Sequence, residues 1–293
     1  MKLPTQTRKQ IQTILLKRKL EDLEVLQQTE TFLQKKRGYI FHMPKKDESV
    51  ILTISGGLDS TILWGMLLEE YQLHVYPVFF RRGHKRVRRE EDAIRFFSQF
   101  FQKKYPQTFH SVQFLNVAMP PKEIRWQITE RSKDVVNRKT NQRKGIPLYS
   151  GLLAFNAVEY AYFLQEEKNI SVRTIFSAFV SSDGESLKYE TLTAMRSLMQ
   201  NICTLTGDMS WQYTSLALEK ELGHFWDKDV LIRWAVEKNY PIEKMFSCIS
   251  PINYTIHCGR CYFCRYRKGS FARAGISDPT VYKYESDEPL SFS

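Results

Sequence analysis

The sequence predicts an α/β protein: a doubly wound, mainly parallel sheet followed by a C-terminal four-cysteine zinc module. Three observations carry that expectation. A β-branched apolar run at 50–54 passes through Ser55-Gly56-Gly57 straight into an apolar helical pattern that continues to about Glu70. Short apolar runs alternate with helical patterns along most of the chain, the arrangement of strand–helix–strand units in a parallel sheet. Four of the five cysteines fall between positions 248 and 264.

Taken in order, residues 1–49 have a character of their own. Ile11, Leu15, Leu16, Leu20, Leu23, Leu26 and Phe32 recur at helical spacing among charged residues. That spacing predicts one amphipathic helix over about 8–35, packed on the domain or engaging a partner protein. Pro44-Lys45-Lys46-Asp47-Glu48-Ser49 reads as a polar linker into the first strand. A second strand is expected at 74–80, followed by a basic loop at 81–89 with six Lys/Arg. A helix over 90–104 would bury Ile94, Phe96, Phe97 and Phe100, and 110–117 would be the third strand. The polar, basic stretch 122–146 is expected to be a mobile segment over the site.

A long, largely buried helix follows at 148–167, then a fourth strand at 172–178 and the polar loop Ser181-Ser182-Asp183-Gly184. Helix 189–203 and a fifth strand at 213–218 come next. Asp227 reads as the N-cap of a helix running through Val236, stopped by Asn239-Tyr240-Pro241. The expected divisions are 1–49, a helical extension; 50–245, a nucleotide-binding domain; and 246–293, the zinc module with its tail.

Composition narrows the class. The chain has 43 Lys and Arg against 32 Asp and Glu, a net charge of +11, which suits nucleic acid, nucleoside triphosphates or an acidic partner equally. No apolar stretch reaches the roughly 18 residues of a membrane-spanning helix, and the N-terminus lacks the apolar core of a signal peptide. A cytoplasmic protein is expected, in which clustered cysteines point to a metal rather than to disulfides.

Two motifs carry the chemistry. Strand, small-residue turn and helix N-terminus at 50–60 form an anion site: glycines admit a phosphate close to the backbone, and N–H groups and the helix dipole favour its charge. No Lys follows the glycines, so the loop is not a Walker A loop. The spacing Cys248-x9-Cys258-x2-Cys261-x2-Cys264 brings three thiols round a tight knuckle, with a distant fourth to complete a tetrahedron. Four thiolates with no open position describe structural Zn²⁺, with an iron–sulfur cluster as the rival. His257 is a spectator beside Cys258, and Arg260, Arg265, Arg267, Lys268 and Arg273 offer either an anion site or a solvated basic face.

Ser55-Gly56-Gly57-Leu58-Asp59-Ser60 looks like the pyrophosphate loop of enzymes that cleave ATP between its α and β phosphates. With the tail Cys258-Gly-Arg-Cys261-Tyr-Phe-Cys264-Arg and the run Phe271-Ala-Arg-Ala-Gly-Ile-Ser-Asp-Pro279, it resembles the 7-cyano-7-deazaguanine synthase (QueC) family of ATP pyrophosphatases, over about 50–282. The stretch 79–86 is similar to a third family segment, with Gly83 matched, and Asp227-Lys228 sits where the family carries a Ser-Lys pair. The resemblance implies an adenine nucleotide α-hydrolase-like fold, ATP and Mg²⁺ as cofactors beside structural Zn²⁺, and a family homodimer. It places the nucleotide on Ser55, Gly56, Gly57, Leu58, Asp59, Ser60 and Gly83. Ser55, Asp59, Ser60 and Lys228 would serve catalysis, with Asp59 also capping the helix and Lys228 on the pyrophosphate. His84, Arg86 and Ile146-Pro147-Leu148-Tyr149-Ser150 depart from the family pattern, as does Ser181-Ser182-Asp183-Gly184-Glu185-Ser186. Nucleotide activation thus looks retained while the substrate-facing residues have drifted. Diverged relatives with an added N-terminal helix are associated with antiphage operons and join a deazaguanine to a protein amine.

The chemistry so implied is adenylation of a deazaguanine-type acid, with ammonia or a protein amine as acceptor and an operon partner protein in the second case. Two other readings stand beside it. A base-adenylating tRNA thiolation enzyme would use the basic charge, but would need a catalytic Cys or iron–sulfur cluster, and only Cys203 lies outside the knuckle. A non-catalytic nucleotide-binding partner within a complex would explain the altered loops alone.

Overall fold

A computed structural model describes residues 3–83, 86–117, 148–249 and 256–284, together with one short strand pair inside 118–147. Five strands form one parallel sheet: β1 (Ser49–Ile54), β2 (His74–Arg81), β3 (Gln113–Asn116), β6 (Thr174–Ser177) and β7 (Gln212–Ser215). Their spatial order is β3-β2-β1-β6-β7, so the chain winds outward from β1 on one side and then returns to β1's other edge. The carboxyl ends of β1 and β6 are therefore the switch point, where such sheets bind ligands. β4 (Val136–Asn137) and β5 (Gln142–Arg143) form a separate antiparallel pair.

The central strands are buried on both faces, which is why they read as continuous apolar runs. In β1, Val50, Leu52 and Ile54 enter one core cluster and Ile51 enters the other, the period of two that a pleated strand imposes. The first cluster is completed by α3 (Leu58–Glu69), α4 (Val87–Lys104), α7 (Lys228–Glu237) and Phe271 of α8 (Tyr262–Ala274). The second is covered by α1 (Arg8–Leu16), α2 (Leu23–Arg37), α5 (Tyr149–Lys168) and α6 (Leu192–Thr206). Among the described residues no helix is long and apolar enough to cross a membrane.

The single helix expected over 8–35 is two helices. α1 ends at Leu16, and Asp22 starts α2 by accepting the Val25 N–H. The break turns Arg18, Glu21 and Asp22 toward residues 181–193, contacts that a straight helix would forgo. Both helices bury their apolar side in the second cluster, through Ile11, Leu15, Leu26 and Leu33, with α2 lying along α6. α4 buries Ile94, Phe97 and Phe101, while Phe96 is 37% exposed. β3 is shorter than the expected 110–117, and β7 ends at Ser215, where Leu216–Leu218 tightens into a 3₁₀ turn. The expected mobile segment 122–146 lies outside the described residues, apart from the β4–β5 backbone pairing.

Candidate active site

β1 delivers the chain to Ser55, and the turn that follows is built for a close approach. Gly56 has φ +67°, and a Cβ there would lie 2.5 Å from the Glu90 carbonyl oxygen, so only glycine fits. Gly57 is the N-cap of α3 and supplies no side-chain cap, leaving the first-turn N–H groups for an anion. Ser60 Oγ accepts the Ser55 N–H at 3.1 Å and lies 3.1 Å from Ser55 Oγ, so the two hydroxyls close the turn together. The loop is anchored from the far end of the chain: the Phe246 N–H donates to the Gly56 carbonyl at 3.0 Å.

Asp59 is not the cap of α3. It sits one turn-position inside, and one of its carboxylate oxygens pairs with Lys228 Nζ at the start of α7. Its other oxygen, Oδ1, is buried with no hydrogen-bond partner among the described residues. Burial raises the Asp59 carboxyl above its ordinary value, against the pull of Lys228. Burial works to lower the Lys228 ammonium, but Asp183, Asp59 and Asp227 outweigh it and hold the group protonated. Asp227 also has Arg273, so Lys228 is shared chiefly by Asp59 and Asp183, and the free Asp59 Oδ1 leaves room for another cation. Asp227 occupies the N-cap position of α7 without capping it. Its carboxylate instead accepts Tyr266 Oη at 2.6 Å, Ser182 Oγ at 2.7 Å and Arg273 at 2.8 Å. Burial opposes that charge, yet these donors and Lys228 keep Asp227 below the usual carboxylate range.

Ser55, Asp59, Ser60 and Lys228 line one end of a cavity of about 450 Å³ at the switch point. Its other end is aromatic, with Tyr149, Tyr189 and Tyr213, and it also holds the buried carboxylate of Glu190. Arg82 lies over the Tyr149 ring at 4.8 Å, and Arg86 pairs with Glu90 at 2.6 Å. Leu58 and Gly57 face a smaller adjoining cavity of about 110 Å³, whose far wall is Phe246, Ser247 and Cys248. Gly83 ends the β2 turn with φ +69° but lines neither cavity; its neighbour Arg82 does. Tyr149 belongs to the 146–150 stretch that departs from the family pattern, whereas nothing in the sequence marks Tyr189, Glu190 or Tyr213 as site residues. Tyr149 opens α5, Tyr189 and Glu190 lie in the segment after β6, and Tyr213 lies within β7, so no shared spacing marks them.

Cys248, Cys258, Cys261 and Cys264 converge, with all four sulfur atoms within 4.8 Å of one another. Gly259 makes the knuckle possible, because at φ +82° a Cβ would meet the Tyr284 carbonyl oxygen at 1.8 Å. Cys261 is the N-cap of α8, and Cys264 lies in its first turn. The sulfur separations Cys248–Cys261 and Cys258–Cys264 are 3.9 and 4.0 Å. A tetrahedron of thiolates around one ion with bonds of about 2.3 Å has edges of about 3.8 Å, so the donor set fits a single metal ion. His257 is no ligand: its Nε2 accepts the Ser247 N–H at 3.0 Å. Of the surrounding basic residues, Arg267 is buried and donates to the Met245 and Ile242 carbonyls, and Arg273 is held by Asp227, so both serve the fold.

The chain matches the sequence model of the family described as queuosine biosynthesis protein QueC over residues 49–275. It is 24% identical to the 7-cyano-7-deazaguanine synthase of Methanococcus aeolicus over 252 residues, covering 79% of this chain and 98% of that enzyme. A local match to the enzyme of the same name from Methanopyrus kandleri is 43% identical over 58 residues; it covers 19% of this chain and 25% of that enzyme, so it spans only a quarter of that relative's length. Among solved structures, the U34-tRNA thiolase NcsA from Methanococcus maripaludis with its [4Fe-4S] cluster aligns at 13% identity and TM-score 0.37, covering 78% of this chain and 69% of that one. A likeness of that depth carries no functional information. On the family match, which spans the sheet, the glycine turn and the cysteine knuckle alike, this chain belongs to the QueC family.

Proposed function

We propose that the protein is an ATP-dependent carbon–nitrogen ligase that adenylates a 7-carboxy-7-deazaguanine-like acid and transfers the acyl group to an amine. The observation that carries this reading is the Ser55–Ser60 turn, with its uncapped helix N-terminus and Lys228 at one end of a cavity whose other end is aromatic. Family membership supports it. A carboxylate oxygen of the acid attacks the α-phosphorus of ATP, the bond to the β-phosphate oxygen breaks, and pyrophosphate leaves. The N–H groups of 57–60, the Ser55 and Ser60 hydroxyls and Lys228 Nζ stabilise that leaving group, each well-aimed donor contributing about 3 kcal/mol to the barrier. The acyl-adenylate then loses AMP to an attacking amine, which gives up a proton and becomes an amide. Ammonia would lead on to a nitrile with a second ATP, whereas a protein amine would end the sequence at the amide. No covalent enzyme intermediate is needed, since the site works by positioning and charge.

The orphaned Asp59 Oδ1 is where Mg²⁺ would be held, and bound there it would neutralise phosphate charge. The four cysteines would hold Zn²⁺ as a closed structural site, because sulfur separations near 4 Å suit one ion rather than a larger iron–sulfur cluster. The thiolation alternative gains no support from Cys203, which is buried on α6 with Sγ toward the Trp211 carbonyl and does not line the cavity. Purified protein given ATP, Mg²⁺ and the carboxy-deazaguanine should release pyrophosphate in an acid-dependent manner. Release of ADP in its place would refute the proposal.

A further inference from the structure

The family match begins at residue 49, yet the chain before it reaches the cavity wall. The segment after β6 supplies Phe179, Asp183, Leu187, Tyr189 and Glu190 to the cavity. It runs from β6 to α6 as loops and two single 3₁₀ turns, whose local bonds, such as the Ser186 and Leu187 N–H groups to the Asp183 carbonyl, shape the turns but do not fix the segment on the sheet. Both of its ends are held by residues 17–22, the link between α1 and α2. At the first end, Arg18 donates to the Ser181 carbonyl at 2.9 Å, pairs with the Glu185 carboxylate and lies 5.8 Å from the centre of the Phe225 ring. At the second end, the Glu21 carboxylate accepts the Leu192 and Thr193 N–H groups, each at 2.9 Å, and the Thr193 hydroxyl at 2.6 Å. The Asp22 N–H donates to the same hydroxyl at 3.1 Å. Glu21 therefore caps the N-terminus of α6 from outside, at the end where a carboxylate is favoured by the helix dipole.

The segment is also held by residues at the starts of α7 and α8. The Ser181 N–H donates to the Trp226 carbonyl at 2.8 Å, Ser182 Oγ to Asp227 at 2.7 Å, and Ser186 Oγ lies 3.2 Å from Tyr262 Oη. This strap reaches the phosphate end through the Asp183 carboxylate, which acts on Lys228 and Asp59, while the 55–60 turn itself is closed by Ser60 and Phe246. Arg18 is nearly buried, at 14% side-chain exposure, so its ion pair is shielded from water and from salt.

We propose that Arg18 and Glu21 are positioning residues that set the acid-binding wall of the cavity, so that the N-terminal extension tunes recognition of the acid far more than recognition of ATP. This rests on the adenylation reading for its kinetic test, and on hydrogen exchange for a test that does not need it. In full-length Arg18→Ala and Glu21→Gln variants, pyrophosphate release should show a KM for the carboxy-deazaguanine raised about tenfold, the scale of one lost charge-assisted hydrogen bond, with the KM for ATP within about twofold of the parent. Arg18→Lys should restore most of the loss. In the same variants, amide exchange should accelerate across 181–193 and stay unchanged across 55–60. Equal rises in both KM values, or unchanged exchange at 181–193, would overturn the proposal. If the parent protein releases no pyrophosphate with this acid, the adenylation reading falls, and the exchange pattern alone decides whether the strap holds the wall.

Discussion

The two ends of the cavity are built in opposite ways. At the phosphate end the turn closes locally, Ser55, Gly57 and Ser60 bonding partners no more than five residues apart, and distant Phe246 and Lys228 reach it at single points. The end proposed to take the acid is assembled from afar, by anchors such as Arg18 on Ser181 and Glu21 on Leu192, 163 and 171 residues away in sequence. A locally encoded site depends on a few glycines and one helix start. A site built from distant contacts can change its lining without touching the fold beneath it. That difference explains how this chain keeps a QueC-like phosphate turn while Ser181-Ser182-Asp183-Gly184 and Tyr149-Ser150 depart from the family pattern.

The contrast is broken most severely at Gly56. Gly56→Ala forces a Cβ onto the Glu90 carbonyl and a side chain into positive φ, displacing the turn. Pyrophosphate release should fall by about 100-fold or more, as misplacements near 1 Å do, and the loss should appear whichever acid is offered. A change confined to the KM for the acid would contradict the local character of this end. Lys228→Met comes next. It removes a leaving-group donor and leaves the buried Asp59 unpaired, so kcat should drop by about 100-fold and chemical denaturation should reveal about 3 kcal/mol lost. Adding Asp59→Asn should recover much of the stability without the activity, which separates the two roles.

Zinc removal tests the joint between the regions, because Phe246, which tethers Gly56, lies two residues before Cys248. Metal analysis should find one zinc per chain, and chelation should weaken ATP binding several-fold through loss of a hydrogen bond worth about 1 kcal/mol, beyond any unfolding of the knuckle. ATP affinity indifferent to chelation would mean that the tether does not matter.

The smallest effect concerns the acid end and pH. Burial lowers His224 to about 4; the ring lies 3.8 Å from that of Trp226, whose carbonyl receives the Ser181 N–H. A folded value below the ordinary 6.5 means the unfolded chain binds the extra proton first. Stability contributed by neutral His224 is complete above pH 6.5 and is lost as pH falls from there toward 4. Thermal melting of His224→Phe should show a shallower acid slope than the parent over that interval. An unchanged slope would remove His224 from the account.

What could be read in advance follows the same division. The parallel sheet, the glycine turn and the four cysteines are local patterns in sequence, and each appears in the structure at the expected place. The break between α1 and α2 was not legible, since Leu16 to Leu23 continue the helical spacing; Asp22 and the distant groups it serves decide it. Asp227 reads as a cap because it precedes a helix, but Tyr266, Ser182 and Arg273 claim its oxygens, and no local pattern announces them. Tyr149, Tyr189 and Tyr213 gather only when β6, β7 and α5 are in place. Distant assembly leaves no spacing to find.

The central claim is that a carboxylate oxygen attacks the α-phosphorus at the Ser55–Ser60 turn. It is tested most directly by supplying the acid with both carboxylate oxygens labelled with ¹⁸O, together with ATP, Mg²⁺ and ammonia, and weighing the products. The account predicts AMP that carries one labelled oxygen, with unlabelled pyrophosphate. Label in inorganic phosphate alongside ADP, or unlabelled AMP, would contradict it.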